Sequence, residues 1–484
     1  MNGQVYVKID KKQEKILKRE ILNPATNKII AEVFDSSLQQ VEEAVDKAKQ
    51  AFEQSEWKKN KSLRVGVLTK LADLLEKEAS VFAETETLNT GKPVKESQLD
   101  IEDTINCLRY YANLIEENQP WTKDMFDNTN SKIIQEPIGV CALIVPWNFP
   151  LLLGMWKLAP ALAAGNTVVF KPSELTPLSF LKLASLCEKA GIPEGVFNLI
   201  TGDGKVGSAL VEHKDVAKVS FTGGSETGKR IYQQCAKEMK RVSLELGGKS
   251  PLLIFQDSEI DIAVDWTMFG SFFNQGQVCV ASSRILVHES IYKPFLSALT
   301  EAVATIKIGN PLTEETEMGP VISKKHLNKI RNFIKLGQEE GANLLTGGTL
   351  INCEGGNYMK PAVLVDVEQH MKVVQEEIFG PVITVQSFSS EEEAIALANG
   401  TKFGLAAGIL TNDVAKAERV AEHLQAGTIW INGYHTPHIE TAWGGFKESG
   451  IGRELGPSGL AAFTETKHVN TNSKLARANW YQQK

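Results

Sequence analysis

The chain has 484 residues, too many for one ordinary hydrophobic core, so two or three domains are expected. Its 42% hydrophobic and 23% charged residues are ordinary for a globular protein, and a net charge of -7 argues against a basic nucleic-acid surface. Six cysteines, at positions 107, 141, 187, 235, 279 and 353, include no Cys-x-x-Cys pair, so neither a disulfide framework nor a zinc cluster is expected and a reducing cytoplasm is the expected setting.

In chain order, "MNGQVYVKIDKKQEKILKRE" lacks the apolar core of a signal peptide. Apolar residues at helical spacing between charges predict helices over 37–53, 62–88 and 96–117. Residues 120–131 predict a loop or a hairpin arm. The run "IGVCALIVPWNFPLLLGMWKLAPALAAG" (138–165) is long enough to span a membrane, but Pro146, Asn148, Pro150, Lys157 and Pro160 interrupt it. It predicts a buried strand (139–145), a tight polar turn and a buried helix closed by Gly165. Strands at 167–171, 196–200, 217–221 and 241–246 then alternate with helices at 177–191, 206–213 and 225–239. That rhythm predicts an α/β parallel sheet covered on both faces, an architecture suited to nucleotides. A second rhythm fills about 250–445, with strands "PLLIF", "SRILVH" and "LVDV" and helices over 290–306, 323–340 and 391–400. The tail "HVNTNSKLARANWYQQK" reads either as a strand added to a neighbouring subunit or as a disordered end.

Several stretches carry chemistry. "FTGGSETGKR" places Gly223, Gly224 and Gly228 between a strand and a helix; glycines admit a phosphate to the backbone, and helix N-terminal amides favour anions. A plain strand–helix turn is the equal alternative. In "FKPSELTP", Lys171 and Glu174 follow a strand end, where ligands of open sheets bind. The lysine can bond ribose or phosphate oxygens; the carboxylate can accept from a ribose 2′-hydroxyl and would repel a 2′-phosphate. The alternative is an exposed pair capping the next helix. "RVSLELGGKSP" sets Glu245 opposite Val242, Leu244 and Leu246, either facing solvent or acting as a general base beside open backbone. In "FFNQGQVCVASSR", Cys279 sits in a small polar turn, where a packed thiol and a nucleophilic thiolate are both open readings. No histidine has a Cys-partner context, which disfavours a papain-like hydrolase. "HTPH" (435–438) lacks the further ligands of a metal site, and no metal is expected.

Taken together, "VPWNFP", "FKPSELTP", "FTGGSETG", "LELGGKSP", "NQGQVCVASSR", "EEIFGPV" and "WGGFKESGIGRE" resemble the NAD(P)-dependent aldehyde dehydrogenases in order and spacing, over nearly the whole chain. The resemblance implies a Rossmann-like cofactor domain (1–117 and 138–247), an α/β catalytic domain (248–445) and a small β oligomerisation element (118–137 and 446–484), assembled as a homodimer or homotetramer. It implies that Cys279 attacks an aldehyde, that Asn148 and the Cys279 amide stabilise the oxyanion, and that hydride leaves for nicotinamide. Glu245 would then direct water onto the thioester to release the free acid, without coenzyme A. Trp147, Lys171, Ser173, Glu174, Gly223, Gly224, Glu377 and Phe379 would hold the cofactor, with Glu174 favouring NAD over NADP. Gly224 departs from the serine of many relatives at a pyrophosphate contact.

Phe149, Trp156, Phe273 and Trp443 match an aromatic box of betaine aldehyde and aminoaldehyde dehydrogenases, whose ring faces attract quaternary ammonium groups. The same rings would also serve a dehydrogenase of apolar aliphatic, aromatic or polyene aldehydes. A non-catalytic family member would lack Cys279 or Glu245, and a thiol esterase would not need Glu377 and Phe379; all four residues are present.

Overall fold

The computed structural model describes residues 17–127, 129–475, 477–478 and 480–481. The expectation about a leader at residues 1–16 and the last few residues of the tail lie outside them. The described residues build two large sheets, a three-stranded sheet and three two-stranded ones. The first has six strands in the order Gly450–Ile451, Arg241–Glu245, Val216–Thr222, Val140–Ile144, Thr167–Lys171 and Phe197–Leu199. Its last five strands are parallel, and Gly450–Ile451 joins antiparallel. From Val140–Ile144 the chain first builds outward through Thr167–Lys171, then returns to the other side at Val216–Thr222. The crevice between those two directions is the topological switch point, where open parallel sheets bind ligands.

The second sheet has seven strands in the order Asn343–Thr346, Ala362–Val365, Val382–Phe388, Arg284–His288, Pro251–Ile254, Ala406–Leu410 and Thr428–Ile431. Only Asn343–Thr346 runs antiparallel. The third sheet is antiparallel: Trp121–Asp124, Thr129–Pro137 and Thr464–Asn472. The tail strand therefore pairs over nine residues with a hairpin of its own chain. Phe446–Lys447 pairs with Phe403–Gly404 as a separate two-stranded sheet and Gly450–Ile451 joins the six-stranded sheet, so the segment after 445 reaches a large sheet before the small one.

The apolar run at 138–165 resolves into the buried strand Val140–Ile144 and the helix Pro150–Ala164, ended by Gly165 at φ 95°. Among the described residues no helix is long and apolar enough to cross a membrane. The helix expected over 62–88 is two helices, Lys61–Lys77 and Ala79–Thr90, broken where Glu78 leaves helical geometry at ψ 13°. Asn166 ties the six-stranded sheet to the start of the tail. Its Oδ1 accepts from the Gly139 N–H at 3.0 Å and its Nδ2 donates to the Phe463 carbonyl at 2.9 Å.

Candidate active site

Three consecutive neighbours of the seven-stranded sheet, Pro251–Ile254, Arg284–His288 and Val382–Phe388, are each entered from a segment that carries a candidate residue. Those segments hold Gly247–Gly248, Cys279, and Glu377 with Phe379 respectively. Because the strands are adjacent and parallel, their entrances are adjacent too, and they meet the carboxyl ends of the six-stranded sheet where Asn148, Gly223 and Glu245 lie.

Glycines allow the close approach. A β-carbon on Gly247 would stand 2.2 Å from a Glu377 carboxyl oxygen, and one on Gly248 would stand 2.6 Å from the Cys279 carbonyl. The Glu377 carboxylate accepts from the Gly248 N–H at 3.0 Å. On the far side, Gly444 makes room for Glu245 itself.

The turn before the nucleophile is left-handed over three residues, with φ of 47° at Asn274, 58° at Gln275 and 67° at Gly276. For Asn274 and Gln275 that conformation costs on the order of 1 kcal/mol each. Buried hydrogen bonds offset the cost. Glu96 accepts from the Asn274 N–H at 3.0 Å, and the Asn274 amide donates to the Asn148 carbonyl at 3.1 Å. The Gln275 side-chain oxygen accepts from the Gly319 N–H at 2.9 Å, and that of Gln277 accepts from the Ile322 N–H at 3.0 Å. The polar residues of "NQGQ" are therefore buried scaffolding and not a solvated approach to the sulfur.

Of the six cysteines, Cys107, Cys141, Cys187 and Cys235 are buried, and Cys279 and Cys353 are half-buried. Burial first, and then the nearby charges of Glu377 and Glu245, push the Cys279 thiol up to about 12 against the pull of the Val280 and Cys279 amides. The Asn148 amide donates one N–H to the Gln277 carbonyl at 2.9 Å. Its second N–H is left for another acceptor.

Glu245 is buried, and neither carboxyl oxygen has a hydrogen-bond partner. Burial raises its pKa well above the ordinary carboxylate range, and the Glu454 charge raises it again; Lys157 and Arg453 oppose the rise. Glu454 is itself buried, pairs with Lys157 and accepts from the Ser220 hydroxyl at 3.2 Å. Glu96, Glu454 and Lys157 were not singled out as site residues from sequence. Lys157 carried a signal, since a lysine inside an apolar helix needs a buried partner.

The cofactor candidates follow the carboxyl ends of three neighbouring strands, Val140–Ile144, Thr167–Lys171 and Val216–Thr222, or precede Val382–Phe388. Gly224 caps the helix Ser225–Lys237 with no side-chain hydrogen bond, and the space where its β-carbon would stand is open, so a phosphate can reach the first-turn amides. Lys171 is buried and its ammonium donates to the Pro172 carbonyl at 3.2 Å; burial lowers its pKa, and Glu174 opposes that. Ser173 is buried and its hydroxyl accepts from the Leu175 N–H at 3.3 Å, while Glu174 is half-buried. Trp147 packs edge-on against Phe379 and His326, both at 5.3 Å, and His326 bonds the Phe379 carbonyl at 2.6 Å. His326 and Lys329 line a groove of about 560 Å³ with Trp147, two residues that the sequence motifs did not mark. These features fit a dinucleotide.

The four aromatic candidates come together as two pairs. Phe149 stacks on Phe273 at 6.3 Å, and Trp156 meets Trp443 edge-on at 5.4 Å. All four pack in one apolar cluster with Cys279. One face of Phe149 already carries a cation, with the Lys92 ammonium 3.8 Å from the ring centroid. His435, the first histidine of "HTPH", bonds the Gly270 carbonyl at 2.9 Å and packs against Phe269 and Phe273; burial lowers its pKa to about 4, so it is neutral at pH 7.

The signature of the aldehyde dehydrogenase family spans residues 10–469, and the chain belongs to that family. It is 45% identical over 469 residues to a betaine aldehyde dehydrogenase of Bacillus subtilis, covering 96% of each chain. It is 42% identical to a peroxisomal aminoaldehyde dehydrogenase of Pisum sativum, covering 95% of this chain and 94% of that one. A crystal structure of betaine aldehyde dehydrogenase from Staphylococcus aureus in complex with NAD+ superposes with a TM-score of 0.94 at 42% identity, covering 96% of this chain and 94% of that one.

Two outcomes test this geometry. Gly276→Ala puts a β-carbon 2.4 Å from the Gly380 carbonyl at a positive φ. It is expected to lower kcat by about tenfold or more, because small displacements of a nucleophile are costly; an unchanged kcat would show that the turn does not position Cys279. Glu454→Gln removes the like charge that raises the Glu245 pKa and leaves the Lys157 cation to lower it further. The acid limb of the kcat–pH profile is expected to move to lower pH, and a limb that stays or rises would contradict the assignment of Glu245 as the titrating base.

Proposed function

We propose that this chain catalyses NAD-dependent oxidation of a cationic aldehyde, betaine aldehyde or a related amino-aldehyde, to the free acid. The observation that carries the chemistry is the convergence of Cys279, Glu245 and Asn148 on one cleft. The Cys279 thiol gives up its proton to water, and the thiolate sulfur attacks the aldehyde carbon. The carbonyl oxygen becomes an alkoxide, stabilised by the second N–H of Asn148 and the Cys279 amide. NAD, when bound, accepts the hydride. The acyl group is then a thioester on Cys279. Glu245, made more basic by burial, takes a proton from water as the water attacks that carbon. The thiolate leaves and the acid is released. This water step is why the product is a free acid and not a coenzyme A ester.

The aromatic pairs, packed in the same apolar cluster as Cys279, support the cationic substrate, since ring faces attract an ammonium group; one face of Phe149 is already taken by the Lys92 ammonium. The apolar-aldehyde reading stands on the hydrocarbon faces of Phe149 and Phe273 and on the uncharged His435. Glu174, half-buried beside Lys171, supports NAD over NADP. Within this reading, residues 1–117 and 138–247 form the cofactor domain, 248–445 the catalytic domain, and the small antiparallel sheet the contact of a homodimer or homotetramer. Six unpaired cysteines suit a reducing compartment such as the cytoplasm.

The test is NADH formation without coenzyme A, comparing betaine aldehyde with 3,3-dimethylbutanal, its neutral isostere, with Cys279→Ala as the control. Cation–π contacts of about 0.5–2 kcal/mol each predict a preference in kcat/KM for the cation of about tenfold. Equal use of both would make the rings a hydrophobic funnel and favour the apolar aldehydes.

A further inference from the structure

The N-terminal hairpin, Lys18–Leu22 paired with Ile29–Phe34, ends beside the residues assigned to the adenosine ribose. Thr201, just past the strand Phe197–Leu199, holds it there. The Ser36 N–H donates to the Thr201 carbonyl at 2.7 Å, the Thr201 N–H donates to the Ser36 hydroxyl at 3.1 Å, and the Thr201 hydroxyl donates to the Phe34 carbonyl at 2.7 Å. Asp35, fixed between these bonds, takes Arg19 in a forked pair: Nε to Oδ1 at 3.0 Å and Nη2 to Oδ2 at 2.5 Å. The Arg19 cation lies within the fields of Glu174 and Asp203 as well as Asp35. Lys171 lies within the fields of the same three carboxylates and of Arg19. Hairpin, sheet end and helix start therefore meet in one cluster of two cations and three carboxylates.

We propose that Arg19 is a latent ligand for a 2′-phosphate, withheld by Asp35, so that the Arg19–Asp35 pair acts with Glu174 to set the preference for NAD over NADP. The inference rests on Lys171 and Glu174 holding the adenosine ribose. A 2′-phosphate there is a dianion among three carboxylates, and it needs a cation. Lys171 is engaged with a backbone carbonyl. The two parallel N–H bonds with which a guanidinium would grip phosphate are occupied by Asp35. Removing the Asp35 charge frees that fork within the same cluster of charges as Lys171 and Glu174.

The experiment is the ratio of kcat/KM for NADP to that for NAD, at fixed aldehyde, in the full-length enzyme. Asp35→Asn is expected to raise the ratio about tenfold, the worth of one strong charge-assisted bond, through the KM for NADP and with kcat on NAD retained. Asp35→Glu is expected to restore the parent ratio, and adding Arg19→Gln to Asp35→Asn is expected to abolish the gain. An unchanged ratio in Asp35→Asn, or an equal gain in the double variant, overturns the proposal. If Asp35→Asn does not fold, Glu174→Gln with and without Arg19→Gln decides it: NADP use about tenfold weaker without Arg19 supports the role, and equal use overturns it. A parent enzyme that turns over neither coenzyme sinks the reading of the site itself, and this proposal with it.

Discussion

Asn274, Gln275 and Gly276 take left-handed backbone conformations in sequence, an arrangement that ordinary residues avoid. It persists because the turn is bonded from four directions: by Glu96 from a helix, by Asn148 from the polar turn after Val140–Ile144, and by the Gly319 and Ile322 amides through Gln275 and Gln277. Each bond is buried, so none can be traded for water at no cost. The turn aims Cys279 back into the cleft directly before the strand Arg284–His288. It also joins the two large sheets, because Asn148 belongs to one and Cys279 leads into the other. Strain at this point and unpaired polar atoms around it, on Asn148 and Glu245, are what a preorganised site looks like.

Electrostatics then divide the labour. Burial makes the Cys279 thiol reluctant to ionise and makes the Glu245 carboxyl a better base than an exposed one. Glu454, held by Lys157 and Ser220, adds a negative field behind Glu245. A carboxylate raised in this way holds a proton more readily near neutral pH, as a base acting on water must.

The five parallel strands of the first sheet were legible because each is a short apolar run bounded by glycine or a polar turn, and the helix ends at Gly165 and Gly191 are marked in the sequence; Gly450–Ile451, two residues long, was not, and it joins this sheet and not only the small one as 446–484 was expected to. The second was half legible. Ala406–Leu410 reads "AAGIL", in which only Ile409 has a strong pull toward a strand, and parallel neighbours bury it on both sides. The family motifs brought Cys279, Glu245, Asn148, Glu377 and Phe379 into view. Glu96 and Glu454 could not be found that way, since each lies more than 170 residues from the side chain or amide it serves, and only the fold brings them near. The burial of the polar letters of "NQGQ" was not legible either. They look like a solvated loop, and they are buried because the left-handed turn needs internal partners.

The central claim is that Cys279 carries the acyl group and Glu245 sends water to remove it. The most direct measurement is an acid quench of Glu245→Gln during turnover with NAD and betaine aldehyde, followed by mass mapping of the cysteine peptides. The account predicts the acyl mass on the peptide bearing Cys279, present with NAD and absent without it. No adduct, or an adduct on Cys353, the other half-buried cysteine, would contradict it.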